Sequence, residues 1–289
     1  RKKEKPATSF YIDIMPSTWY YYCMKRNVLT ENELQLLEDA IVQYGVVVTF
    51  SQLHQLFNKD IQYTRKRISK LVNEGWLTRI KKGLYVISDI STRGILAIDH
   101  RAVVNLLVEN AYISFLSALQ FHGYYNQLLG GIRAVSLEKN KSRTIGNYIF
   151  HFTTTQVKYF YGWETYEIDG QEIKIASFEK ALIDLIQFHR STYSTDIVLE
   201  KLLDYQDEID QNRLMQYLLK SNLTTRRIFG FLLDCAGIES QQLLFSVANR
   251  KSVSSISDAQ DKVYNHKWKL YYDQLFEQYV KKENHQTAA

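Results

Sequence analysis

The sequence predicts an α+β fold in two parts, and three observations carry that prediction. Residues 62–87 read as a basic amphipathic helix, a glycine stop and a two-stranded ribbon with a charged tip. Residues 132–176 leave helical spacing for short alternating segments, the pattern of a small sheet. Capped apolar periods recur before, between and after these stretches, so helices flank both. The expected architecture is an N-terminal winged helix-turn-helix, then a mixed α/β domain with a small sheet and a helical C-terminal part. The expected boundaries are a basic, aromatic extension at 1–30, the winged unit at 31–90 and the α+β domain with its helical tail at 91–289.

The elements follow in order. RKKEK and the cluster Trp19-Tyr20-Tyr21-Tyr22 open the chain; the charges suit a solvated tail, and the aromatics are too dense to stay unpacked. Thr30 with Glu33 forms a capping box for a helix over 31–44, with Leu34, Leu37 and Ile41 at core spacing and Gly45 as its stop. Val46-Val47-Val48 is a short strand suited to pair with the ribbon. Thr49 caps a second helix over 50–57, with Leu53, Leu56 and Phe57 inward, and Asn58-Lys59-Asp60 turns the chain.

The third helix, Gln62 to Glu74, buries Ile68, Leu71 and Val72 and ends at Gly75, placed to take the left-handed backbone of a helix stop. Trp76 to Ile80 alternates as a strand, Lys81-Lys82-Gly83 turns, and Leu84 to Ile87 returns.

Beyond a connector at 88–99, helices are expected at 101–109 and 115–121, the second capped by Ser114 and ended by Gly123. Short strands are expected at 132–137, 148–152, 157–161, 165–168 and 172–175, with Asp169-Gly170 as a hairpin turn. Ser177 caps a helix over 178–188. Further helices are expected at 195–205, 211–219, 225–236 and 261–279.

Charge is unevenly placed. The net charge is +5, but residues 31–48 hold four acids and no base, residues 49–90 hold eight bases against three acids, and residues 91–289 hold 22 of each sign. A polyanion partner for the front of the chain follows. In this motif the second helix of the pair enters the major groove with its N-terminal residues toward the base edges, and the wing reaches backbone or minor groove. Gln62, Tyr63 and Thr64 are therefore the candidates for base edges. Lys66, Arg67 and Lys70 are the candidates for groove contact and mostly for phosphate. Arg79, Lys81 and Lys82 belong to the wing, and Arg65 lies at the boundary, its stem suited to cover the core. A symmetric operator calls for two copies of the chain on DNA.

Other chemistries find little support. Cys23 and Cys235 are the only two cysteines and form no CxxC, so a disulfide framework or zinc site is not expected. Ser114, His122 and Asp184 could be drawn as a triad, yet there is no nucleophile elbow and Ser114 already suits a cap. His151 and His189 are lone histidines in strand and helix patterns. Glu164, Glu167, Asp169 and Glu172 suit a solvated sheet face. No GxGxxG or Walker A loop is present, so no cofactor is expected. No apolar run reaches membrane-spanning length and no signal-peptide core appears, so no membrane partner and a cytoplasmic location are expected.

Four separated segments also agree with one family. Gly75-Trp76-Leu77-Thr78-Arg79-Ile80-Lys81-Lys82-Gly83-Leu84-Tyr85 comes first, then Tyr112-Ile113-Ser114 with Ser117-Ala118-Leu119 and His122-Gly123. Ile175 to Asp184 (IASFEKALID) and Arg226 to Leu233 (RRIFGFLL) follow. Together, over roughly residues 31–240, they resemble the AbiEi antitoxins of bacterial type IV (abortive-infection) toxin–antitoxin systems. The resemblance implies a winged domain that binds inverted repeats in its own promoter and represses it. It also implies a second domain needed for antitoxin activity, and a nucleotidyltransferase-like toxin counteracted without a stable complex. The aromatic extension and the tail after 250 have no counterpart in that pattern. Two alternatives stay open: a module that neutralises a partner protein by direct contact, and an orphan winged-helix regulator.

Overall fold

The structure is a computed structural model, and it describes residues 29–89 and 96–280. The expected packing of the aromatic N-terminal extension, and most of the 88–99 connector, lie outside the described residues. The described residues are α+β, with three separate sheets and helices around them.

The front unit runs α1 (Glu31–Tyr44), β1 (Val47–Thr49), α2 (Phe50–Phe57), α3 (Ile61–Asn73), β2 (Leu77–Lys81) and β3 (Leu84–Ile87). Thr30 and Glu33 form the expected capping box on α1, and the Thr49 cap on α2 is a second box, closed by Gln52. The α1 stripe is turned from the expected one. Glu33, Leu37 and Ala40 are buried, whereas Ile41 is exposed, because Glu33 is drawn inward by cations on α3. Asn58 turns the chain with a left-handed φ of 45°, and Asp60 caps α3 by accepting from the amides of Gln62 and Tyr63, both at 2.9 Å.

Gly75 ends that helix with φ +83°; the Trp76 amide donates to the Leu71 carbonyl at 2.9 Å and the Gly75 amide to that of Val72 at 3.1 Å. This is the paired bonding of a glycine-terminated helix. Strand β1 pairs with β3 antiparallel, giving the sheet order β1-β3-β2. A bulge between Arg79 and Lys81 re-aims the end of β2.

The second part holds α4 (Ala102–Leu107), β4 (Ala111–Ile113), α5 (Phe115–Phe121), β5 (Ile132–Ser136), β6 (Arg143–Ile145), β7 (Tyr148–Thr154), β8 (Trp163–Ile168) and β9 (Gln171–Ala176). They build a six-stranded mixed sheet in the order β6-β7-β5-β4-β9-β8. Asp169 and Gly170 make the β8–β9 turn, both with positive φ, as the two-residue hairpin requires. Helix α6 (Phe178–His189) is buried over nearly its whole length; α7 (Thr192–Asp204), α8 (Gln211–Lys220) and α9 (Leu223–Cys235) pack around it, and α10 (Gln241–Val247) packs on α8 and α9.

Two expectations fail here. Residues 157–161 are not a strand: Val157–Tyr159 is a 3-10 turn, and exposed Val157 has no strand beside it. The helix expected over 261–279 is instead the hairpin β11 (Lys262–Asn265) and β12 (Leu270–Asp273), ending in a 3-10 turn at Gln274–Phe276. β12 also takes β10 (Ser254–Ser255) in parallel. Tyr264 pairs with Tyr271 and Val263 with Tyr272, Asn265 accepts from the Trp268 amide at 3.0 Å, and Lys269 adopts φ 50°, so turn chemistry overrides the helical spacing. The C-terminal part is therefore helical followed by a small sheet. Helix α10 and strands β4, β6 and β10 are additional to the expected elements.

The β2–β3 hairpin belongs to two cores. Leu77, Tyr85 and Ile87 face the small core made by α1, α2 and α3, while Ile80 and Val86 join the large core of the second part. Alternation along a strand gives each sheet face to a different layer. The hairpin is thus held from both sides.

Candidate nucleic-acid interface

Helix α3 sorts its polar residues into two flanks and a crest. Gln62, Lys66, Ser69 and Asn73 recur at i, i+4, i+7 and i+11 and are exposed. Arg65, also exposed, lies on the hairpin side. A groove of about 540 Å³ opens there, lined by Arg65, Ser69, Arg79 and Lys82 over a floor of Phe50, Ile68, Gly83 and Tyr85. Its shape depends on the hairpin turn: Gly83 takes φ +77°, and its carbonyl accepts from the Phe50 amide at 2.8 Å. Three cations thus border one apolar-floored groove between helix and hairpin. Lys81 is exposed beside it.

The opposite flank of α3 faces α1. The Glu33 carboxylate, almost fully buried, accepts from Lys70 Nζ at 2.9 Å and 3.3 Å and meets Arg67 Nη1 at 3.2 Å. It also closes the α1 capping box on the Thr30 amide at 3.1 Å. Burial pushes this carboxyl up, but the hydrogen bond from Lys70, those from Thr30 and the Lys70 charge together hold it below the usual range. Lys70 reaches Glu74 as well, at 3.8 Å. Arg67 Nε donates to the Tyr63 hydroxyl at 3.1 Å, with its guanidinium 5.5 Å from that ring. At the helix start the Asp60 carboxyl is lowered, chiefly by the bond from the Tyr63 amide.

The structure thus divides the candidates. Gln62, Arg65, Lys66, Arg79, Lys81 and Lys82 are exposed on the helix crest and hairpin. Tyr63, Arg67 and Lys70 are engaged on the α1 flank, half-exposed and partnered. Thr64 is a correction: it is fully buried, its hydroxyl donates to the Asp60 carbonyl at 3.2 Å and meets His54 Nδ1 at 2.9 Å, so it reaches no base edge. A threonine one turn before Ile68 on the core stripe carried that signal. Ser69 and Tyr85, which line the groove, and Asn73, which shares the exposed row of Gln62 and Lys66, were not among the sequence candidates, although helical spacing from Gln62 and Lys66 marks Ser69 and Asn73.

The imagined triad does not form. Ser114 and Asp184 do meet, but both are fully buried, and the serine hydroxyl donates straight to the carboxylate at 2.7 Å. His122 lies elsewhere, its Nε2 2.8 Å from the Ala176 carbonyl. Ser114 makes no capping bond; Asp184 takes its hydroxyl instead, together with that of Tyr112 at 3.0 Å and the ammonium of Lys180. Desolvation and the Asp184 charge push the Tyr112 phenol well up. His151 meets Ser142 at 3.0 Å, and His189 meets Thr153 at 3.3 Å. Among the described residues no group of three or more His, Cys, Asp or Glu could hold a metal ion, and no helix is long and apolar enough to cross a membrane.

The segment that builds the groove also matches a family model. Residues 35–88 match the family model described as transcriptional regulator, AbiEi antitoxin. The match runs from α1 through the hairpin and so contains both flanks of α3. The AbiEi family is one of antitoxin regulators and not of enzymes. No curated protein matches the chain. Among solved structures, the crystal structure of RV2827C protein from Mycobacterium tuberculosis matches with a TM-score of 0.62 at 16% identity, covering 88% of this chain and 95% of that one. At that identity the likeness is one of fold.

Proposed function

We propose that residues 31–90 are a winged helix-turn-helix whose α3 reads a major groove and whose β2–β3 hairpin contacts the adjoining backbone. The chain is then a transcriptional autorepressor and antitoxin of a type IV system. It binds inverted repeats in its own promoter as two copies and counteracts a nucleotidyltransferase-like toxin without a stable complex. The observation that carries this reading is the coincidence of the AbiEi match with a groove bordered by Arg65, Arg79 and Lys82. Gln62 and Lys66 near the start of α3 are placed for base edges, and Arg65, Arg79, Lys81 and Lys82 for phosphates. Lys70 and Arg67 keep Glu33 and approach DNA only by exchanging it for phosphate.

A mobility shift on the DNA upstream of the gene, at two salt concentrations, tests the reading. Binding should be sequence-specific and weaken with salt. The variant Arg65→Glu/Lys66→Glu/Arg79→Glu, all at exposed sites, should lose it while keeping its melting temperature. Unchanged binding by that variant would remove α3 and the hairpin as the reader.

A further inference from the structure

Strand β8 is an edge of the six-stranded sheet, and among the described residues only β9 runs along it. An open edge presents unpaired amides and carbonyls, and proteins usually blunt it by shortness, a bulge, proline or lysine. The other edges follow that rule: β1 and β6 have three residues, β10 two and β11 four, and β2 is bulged. Strand β8 has six residues in unbroken register with β9 and holds no proline, lysine or glycine.

The register says which groups face outward. The Ser177 amide donates to the Gly162 carbonyl at 2.9 Å, so Gly162 and Ser177 are a hydrogen-bonded pair. Such pairs alternate along an antiparallel ladder. Glu164, Tyr166 and Ile168 therefore bond to β9, while Trp163, Thr165 and Glu167 turn their N–H and C=O groups to the open side.

The charge of this edge selects an occupant. Residues 164–172 contain Glu164, Glu167, Asp169 and Glu172, all exposed, and no Lys or Arg. Arg213 meets Glu164 at 3.1 Å, and Asp169 accepts the Asp99 amide at 2.8 Å. Glu167 and Glu172 stand directly opposite each other, and among the described residues no cation forms an ion pair with either. Lys174 shares their face but turns its ammonium to the Glu109 carbonyl, at 3.5 Å. Like charges directly opposite are destabilising, and a cation on an added strand relieves them. A second copy would bring the same four acids against them, and DNA would be repelled.

We infer that the β8 edge docks an extended basic segment of a partner protein as an added antiparallel strand. Its Lys or Arg residues, three apart, face Glu167 and Glu164, and its backbone bonds to Trp163, Thr165 and Glu167. Strand β2 of the hairpin lies beside β6, at the opposite edge of the sheet. Five strand spacings separate β6 from β8, about 24 Å, so the segment and DNA can be held together. The inference does not rest on the DNA-binding reading.

The test uses the full chain and two end-blocked, fluorescein-labelled peptides, Thr-Lys-Val-Thr-Lys-Val and its counterpart with glutamate for lysine. By anisotropy, wild type should prefer the lysine peptide by on the order of 10-fold. Glu167→Lys, at an exposed site, should keep its melting temperature and shift the preference toward the glutamate peptide. Thr165→Pro removes an outward amide that β9 does not use, so the sheet stands, and both peptides should weaken. Amide exchange should slow at Trp163, Thr165 and Glu167 when the lysine peptide is added, and stay unchanged at Glu164 and Tyr166. Equal binding of the two peptides, or no binding, overturns the inference. Binding without protection of those three amides means charge attraction alone, and the added strand is wrong. If the three amides are already protected in the free protein, or if Thr165→Pro dissolves a dimer seen by sedimentation, the chain covers its own edge and the inference falls.

Discussion

Glu33 in the front unit and Asp184 in the second part are both buried carboxylates held by a lysine, yet their surroundings differ. The cations on Glu33, Lys70 and Arg67, are about a third exposed, at 38% and 31%. Lys180 on Asp184 is fully buried, like Tyr112 and Ser114, which complete its shell. The Lys180 ammonium also lies 4.5 Å from the Tyr161 ring. A desolvated ion pair recovers its cost only when every lone pair and proton finds a partner, so the Asp184 cluster is all-or-none. The Glu33 cluster can trade partners with solvent or with a phosphate. One region stores structural specificity, and the other leaves its cations exchangeable where a polyanion is proposed to dock.

The largest way to break this comparison is Asp184→Ala. It strands a buried ammonium and two hydroxyls and should cost about 3–5 kcal/mol, lowering Tm on the order of 10 °C, measured by thermal and urea unfolding. A loss under about 1 kcal/mol would mean that the cluster is wetter than its burial says.

Acid separates the regions next. Burial lowers the His100 and His189 imidazoles in the second part below their ordinary value of 6.5. The unfolded chain therefore binds more protons, so their contribution is complete above 6.5 and is lost as pH falls from there through the lowered folded values. Glu33, depressed from 4.5, keeps its contribution down to about that pH and loses it only as pH falls through its folded value. Amide exchange followed from pH 7 to 4 should show the second part softening first; simultaneous softening would contradict the assignment.

The smallest effect is the most informative about binding. Glu33→Gln removes the charge that ties Lys70 and Arg67, costs about 1–2 kcal/mol of stability, and should tighten DNA binding several-fold at low salt. Weaker binding in a variant that still folds would instead make Glu33 a positioning group for α3.

Much of the front unit could be read in advance because its signals are local. Thr30 with Glu33, Thr49 before α2, Gly75 after α3 and Gly83 in the hairpin each act within a few residues, through a cap or a positive φ. The groove face was partly legible for the same reason, since Gln62 and Lys66 recur at helical spacing. Thr64 misled because a polar residue near a helix start looks available until a neighbouring helix covers it. At the other end, residues 261–279 misled because their aromatics satisfy both helical and alternating spacing, and only the turn at Asn265–Lys269 separates the two.

By itself the sequence determined the α+β class, the order of the front elements, the position of the basic helix and the AbiEi resemblance, all properties of neighbouring residues and of charge counted along the chain. Tertiary structure decided what depends on distant partners. Glu33 turns inward because α3 brings Lys70 and Arg67 to it. Asp184 gathers Tyr112 and Ser114 from some seventy positions earlier. The hairpin serves two cores because its alternate residues face different layers, and β6 lies beside β2 only once both sheets have closed.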